Sequence, residues 1–246
     1  MPDAVDLGVR NWLEAWKRAT TTADLADLDA FAAAQRRPRV RYREGDVFAF
    51  RHTRREWGFG RVLWDRAAAA AAGEFPADQS DGYGLFMGRV VLIQVFRLLA
   101  DTPEVNVSDL VGTPTLPSAM VMDDGLLRGE WPIIGHAPVD PAEVDHLLMV
   151  GKSLRFDDDT WYIQQGLRFE TLPEVTLFGR LPDDVVETLE WTSFADAWSG
   201  PSLPVGALRA CVEAGSNEPY WEENPRDLRS PAHHRIRELL LDAFDA

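Results

Sequence analysis

The chain has one cysteine, Cys211, among 246 residues. That excludes an internal disulfide framework and fits a reducing compartment. Cys211 itself reads as a small buried helix residue. Long apolar runs are missing as well. The longest, Val90 to Ala100, is broken by Gln94 and Arg97, too short and too polar to span a bilayer. The first residues carry Asp3 and Asp6 and nothing like the apolar region of a signal peptide. A cytoplasmic location without a membrane partner is therefore expected. Positive charge is scarce: 25 Lys and Arg stand against 40 Asp and Glu, a net charge of −15. A phosphate backbone needs clustered basic side chains, so no nucleic acid is expected as partner. An acidic exterior suits a basic protein instead. No internal repeat is visible at any period.

Catalytic signatures are also missing. There is no G-x-S-x-G, C-x-x-C, Walker-type loop or G-x-G-x-x-G after a strand; Gly58-Phe59-Gly60 is only G-x-G within a strand. His233 and His234 are adjacent, so on a helix their side chains diverge by about 100°, whereas a zinc pair needs i, i+4 spacing. Asp157-Asp158-Asp159 lacks the alternate spacing, glycine bend and distal Glu of a calcium loop. No catalytic residue, metal site or cofactor is expected from these patterns. His136 follows a strand and either faces a pocket or is a hydrogen-bonded structural histidine; His52 and His146 read as solvated.

Hydrophobic residues make up 46% of the chain and charged ones 26%, which supports a packed globular core rather than disorder. The clearest local pattern lies in residues 41–64. Val47 to Phe50 reads as one strand. From Trp57 a second alternates Phe59, Arg61, Leu63 with Gly60, Val62, Trp64, one set towards a core and the other towards solvent or a second layer. Gly58 and Gly60 allow a bend or a close approach, and the polar run Arg51 to Glu56 is the turn. Phe48, Phe59, Val62 and Trp64 are expected to be structural. Residues 36–66 hold ten arginines and four acids. Either they form a basic patch for an anion, or they pair internally with acidic neighbours.

Two helices precede the hairpin: a stripe of Val5, Val9, Trp12, Leu13 and Trp16, then Leu25, Leu28, Phe31 and Ala32 with Thr21 or Thr22 as cap. Ala67 to Ala72 reads as a short helical turn or loose loop. Further strands are expected at Gly88 to Leu99, Ser118 to Met122, Trp131 to Gly135 and Trp161 to Gln164, with Asp123-Asp124-Gly125 a turn. Asp140-Pro141-Ala142-Glu143 starts a short helix, Glu143 completing the capping box. Beyond about 170 the pattern turns helical: 183–198 is ambiguous, Pro204 to Ala214 is a helix stopped by Gly215, and Ser230-Pro231 opens the last, with Ile236, Leu239, Leu240 and Phe244 inward. The expected fold class is α+β: a curved antiparallel β-sheet or small partly open barrel with an N-terminal helix pair and C-terminal helices. The expected division is an N-terminal extension, 1–38, a β-rich core, 39–170, and a mostly helical segment, 171–246.

The run Glu44-Gly45-Asp46-Val47-Phe48-Ala49-Phe50, followed by Trp57-Gly58-Phe59-Gly60-Arg61-Val62-Leu63, resembles the opening of the immunity protein 26 family of bacterial polymorphic-toxin systems. Val91 to Phe96 and Trp131-Pro132-Ile133-Ile134-Gly135 resemble that family's middle strands, in the same order, so the resemblance covers about 40 to 165. It implies a non-enzymatic protein that protects the producing cell by binding a cognate toxin, with Gly45, Asp46, Phe48, Gly58, Phe59, Gly60 and Arg61 as its structural motif. The partner-binding set expected here is the acidic turn Asp157, Asp158, Asp159 with Trp161 as aromatic anchor. Two alternatives stand beside it. One is a small-molecule or anion-binding sensor using the arginine-rich hairpin. The other is a phosphotriester-type hydrolase with a pocket near His136, since sequences of this type are sometimes labelled as related to such an enzyme. Oligomeric state is not legible.

Overall fold

The computed structural model describes residues 15, 18–34, 40–74, 89–152, 160–191, 206–225 and 227–245. Its centre is an antiparallel five-stranded sheet, ordered β4-β3-β2-β1-β5. The strands are β1 (Asp46–Arg51), β2 (Trp57–Asp65), β3 (Val90–Ala100), β4 (Ala119–Met122) and β5 (Ile133–His136). The expected hairpin is present, with Phe48 opposite Gly60 and Phe50 opposite Gly58. Those cross-strand pairs explain both glycines. A Cβ on Gly60 would lie 2.5 Å from Phe48 Cζ, and one on Gly58 2.4 Å from Phe50 Cζ. Each ring thus lies across its glycine partner, which shields backbone that would otherwise lack a side chain. The β2–β3 register shifts between Gly58 and Gly60 and again between Val62 and Trp64, and such irregularities bend a strand and raise its twist.

All nine residues of β2 are buried, although its alternation allowed one face to meet solvent. Both faces are covered. Val62 packs with Phe48, Phe50 and Ile93 against Leu208, Cys211 and Tyr220. Phe59 packs with Val47, Ala49, Phe96 and Leu110 on the other side. Phe48, Phe59, Val62 and Trp64 are all core residues.

A second antiparallel sheet, β6-β7-β8, is built from β6 (Leu148–Lys152), β7 (Thr160–Gln165) and β8 (Arg168–Pro173). It joins the first through a shared cluster, in which Leu63, Trp64, Leu92 and Met120 meet Leu147, Met149 and Tyr162. Its other face packs Val150, Trp161 and Ile163 against Leu177, Val185, Leu240 and Phe244. The architecture is α+β with two open antiparallel sheets rather than a closed barrel. A boundary placed after residue 170 falls inside β8.

The helices follow local chemistry. Helix α1 (Thr22–Ala34) is capped from Thr21, whose hydroxyl accepts the Asp24 N–H while Asp24 Oδ2 accepts the Thr21 N–H at 2.8 Å. That reciprocal pair is a capping box with Asp in the third position. Leu25, expected inward, is exposed. The alanine run forms α2 (Arg66–Ala71), capped by Asp65 Oδ1 accepting from Ala67 and Ala68. One turn, α3 (Val107–Val111), rests Val107 on Gly135. The expected turn at 123–125 is instead a short helix, α4 (Asp124–Leu127), where Gly125 makes room for the Trp131 ring. Next come α5 (Glu174–Phe178), α6 (Asp183–Trp191), α7 (Leu208–Ala214), α8 (Glu218–Glu223) and α9 (His234–Asp245). Helix α7 stops at Gly215 with φ 66°, the left-handed termination that glycine favours. Helix α9 starts at His234 rather than Ser230. The stripe Val5, Val9, Trp12, Leu13 and Trp16, the segment 192–198 and the turn Asp157 to Asp159 lie outside the described residues.

Candidate partner-binding site

Gly45 has φ 83°, a conformation costly for residues with a Cβ. Its N–H donates to Val62 O and its carbonyl accepts from Ala137 N–H, both at 2.8 Å. It thereby ties β2 to the end of β5. A Cβ here would lie 2.7 Å from His136 Cε1, so the imidazole rests over the bare α-carbon. Buried Asp46 accepts the Arg43 N–H at 2.9 Å and holds His136 Nδ1 at 3.0 Å. Asp46 therefore closes the turn into β1 and orients the histidine. A carboxylate-oriented imidazole is half of an acid–base arrangement. Among the described residues no hydroxyl or thiol is hydrogen-bonded to it, and no three metal-ligating side chains cluster.

The arginine-rich hairpin is engaged internally. Arg51 pairs with Asp27, and its guanidinium lies 4.2 Å from the centre of the Trp57 ring. Arg55 grips both oxygens of Asp24 at 3.1 Å, Arg54 donates to Thr20, and Glu56 pairs with Arg209 of α7. Arg55 holds the Asp24 carboxyl far below the usual carboxylate range, with Thr21 helping. These contacts tie the hairpin turn to α1 and α7.

Trp161 does not stand beside the acidic turn as an exposed anchor. It is 2% exposed, donates Nε1–H to Glu174 Oε2 at 2.8 Å and meets Phe178 edge-on at 5.2 Å. A strand residue facing the second core takes its ring inward. His146 is likewise not solvated: it lies edge-on to Trp64 at 5.2 Å, and burial lowers its pKa, partly offset by Asp145. His52 is also shifted down by burial, with Arg209 adding to the shift. The predicted helix at 141–143 is one 3-10 turn, with Asp140 Oδ1 accepting from Ala142. Glu143 does not complete a capping box; it reaches Arg61 on β2.

That last contact leads to a cleft that no local pattern announces. About 310 Å3 in volume, it opens between β2–β3, the linker joining the two sheets, and the C-terminal helices; Thr115, Ser118, Glu143, Asp145, Trp221 and Arg229 help line it. Beneath it Arg61 donates to Gln94 Oε1 at 3.0 Å and pairs with Glu143. Arg229 clasps Asp227 at 2.7 and 3.0 Å and donates Nη1–H to Ser118 O at 2.8 Å. Asn217 Nδ2 donates to Thr115 O at 3.0 Å, and Arg237 pairs with Asp145 at 3.1 Å. Residues from 63 to 229 meet here, and no local pattern connects them.

The pinned hairpin, the two open sheets and this polar cleft belong to an α+β protein with two packed antiparallel sheets. Residues 43–153 match the family model for immunity protein 26, so the family likeness expected from the motifs is shown over that segment. No curated protein and no solved structure matches the chain. None of the described helices is long and apolar enough to cross a membrane.

Proposed function

We propose that this protein neutralises a bacterial toxin by binding it stoichiometrically, without catalysis. The match of residues 43–153 to immunity protein 26 is the observation that carries this reading. The net charge of −15 favours a basic partner surface through steering and complementarity. The anion-sensor alternative loses its main support because the hairpin arginines pair with Asp24 and Asp27. The acidic turn Asp157 to Asp159 remains part of the proposed interface; its charge reversal to lysine should slow association at low salt and reduce the salt dependence of the rate. Unchanged kinetics would remove the turn from the interface. The direct test is capture of the tagged chain from its own host, with mass spectrometry of the eluate. A single stoichiometric partner carrying a toxin domain is expected; no partner from cells that express the neighbouring genes would overturn the proposal.

A further inference from the structure

We infer that the cleft between the first sheet and the C-terminal helices seats a basic side chain, an arginine, of the protein partner; this rests on the binding function proposed above. Three arginines and three carboxylates meet around the cleft: Arg61 with Glu143, Arg237 with Asp145, and Arg229 with Asp227. Their sum is neutral, but their burial is not symmetric. Arg61 is 5% exposed against 46% for Glu143, and Arg237 is 20% exposed against 59% for Asp145. The third pair, Arg229 and Asp227, is buried on both sides. Arg61 and Arg237 therefore lie underneath, Arg229 stands in the wall with its charge met by Asp227, and the charges that reach solvent at the mouth are the carboxylates of Glu143 and Asp145.

Glu143 and Asp145 are each held by a more buried arginine, so they are oriented before any ligand arrives. Such pre-ordering lowers the cost of a charge-assisted contact. Trp221, half-buried in the wall and fixed edge-on to Tyr220 at 5.0 Å, adds an aromatic ring. Guanidinium groups stack on indole faces and fork across carboxylates, which makes arginine a better fit than lysine. The volume of about 310 Å3 stands at the bottom of the range for ligand pockets, about 300–1,000 Å3, and suits one long side chain better than a cofactor.

The test uses the full chain and a pair of probes, N-acetyl-argininamide and its neutral isostere N-acetyl-citrullinamide. The Trp221 indole N–H resonance, assigned by its loss in W221F, should shift saturably with the arginine probe and not with the citrulline probe. D145N and E143Q, checked for an unchanged melting curve, should each weaken that binding at least five-fold. D145N is the safer of the two, because Arg237 is less buried than Arg61. The protein partner, once captured, should bind both variants at least ten-fold more weakly than wild type. No shift, or equal shifts with both probes, overturns the inference. Undiminished partner binding by folded D145N and E143Q overturns the docking assignment while leaving the toxin-binding function intact. Selective arginine binding in a protein that captures no partner supports the chemistry of the cleft and counts against the toxin-binding function.

Discussion

Replacing Gly60 by alanine should damage the fold far more than the loss of one hydrogen from a glycine suggests. The new Cβ would sit 2.5 Å from Phe48 Cζ and 2.9 Å from the Gln94 carbonyl oxygen. Neither neighbour can yield cheaply. The oxygen belongs to the backbone of β3, and the Phe48 ring is stacked on Trp131 at 5.4 Å and lies 6.3 Å from Phe50. Overpacking of a filled core costs about 1–3 kcal/mol, and two fixed neighbours place this substitution near the upper end. For a chain of this size that corresponds to a melting temperature lower by about 6–12 °C. Gly112→Ala is the matched control. It has φ −81°, and the nearest atom a Cβ would meet is Asp109 O at 3.8 Å; its effect should stay within about 1 kcal/mol. Phe48→Ala alone should cost about 3–5 kcal/mol, but added to Gly60→Ala it should cost less, because it removes the clash as well as the ring. Thermal melts of the four proteins measure this coupling. A Gly60→Ala protein that melts within a degree of wild type would refute the argument that the glycine exists to seat the ring.

Arg229→Met should cost about 3–5 kcal/mol, because it strands the buried Asp227 carboxylate; the double variant R229M/D227N should recover part of that loss in urea denaturation, and a harmless single substitution would contradict the account. His146 gives a pH signature. Burial lowers its folded pKa below the ordinary 6.5, so the unfolded chain takes up the proton first. The stability it contributes is complete above about pH 6.5 and declines as pH falls through that value towards the folded pKa. The melting-temperature difference between wild type and His146→Gln should therefore shrink on acidification from pH 8 to 5; a constant difference would mean that the imidazole titrates as it does in the unfolded chain.

The first sheet was largely legible because its strands announce themselves locally. β1 is a short apolar run, β2 alternates beyond a polar turn, and β3 is a long apolar run. The second sheet was only partly legible. β7 stood out through Trp161 and Tyr162, whereas β6 is a five-residue run of mixed character and β8, an edge strand with exposed Arg168 and Pro173, looks like a connection. Burial on both faces of β2 was hidden as well. It depends on residues 207 to 220, which no pattern in the hairpin reveals. Trp161 reads as exposed in the sequence for a related reason. An aromatic next to three acids suggests an interface, but the partner that draws it inward, Glu174, lies on the following helix. The cleft is the extreme case, since Leu63, Glu143 and Arg229 are brought together only by tertiary packing.

Inhibition by stoichiometric binding is tested by a titration of toxin activity. Purified protein is added to a fixed amount of the toxin domain recovered with it, and residual toxin activity is followed at increasing molar ratio. Stoichiometric binding gives a linear fall to zero with a sharp break at a fixed integral ratio, independent of incubation time. Activity that survives a large excess would contradict it, as would complete neutralisation by substoichiometric protein that progresses with time, the mark of an enzyme.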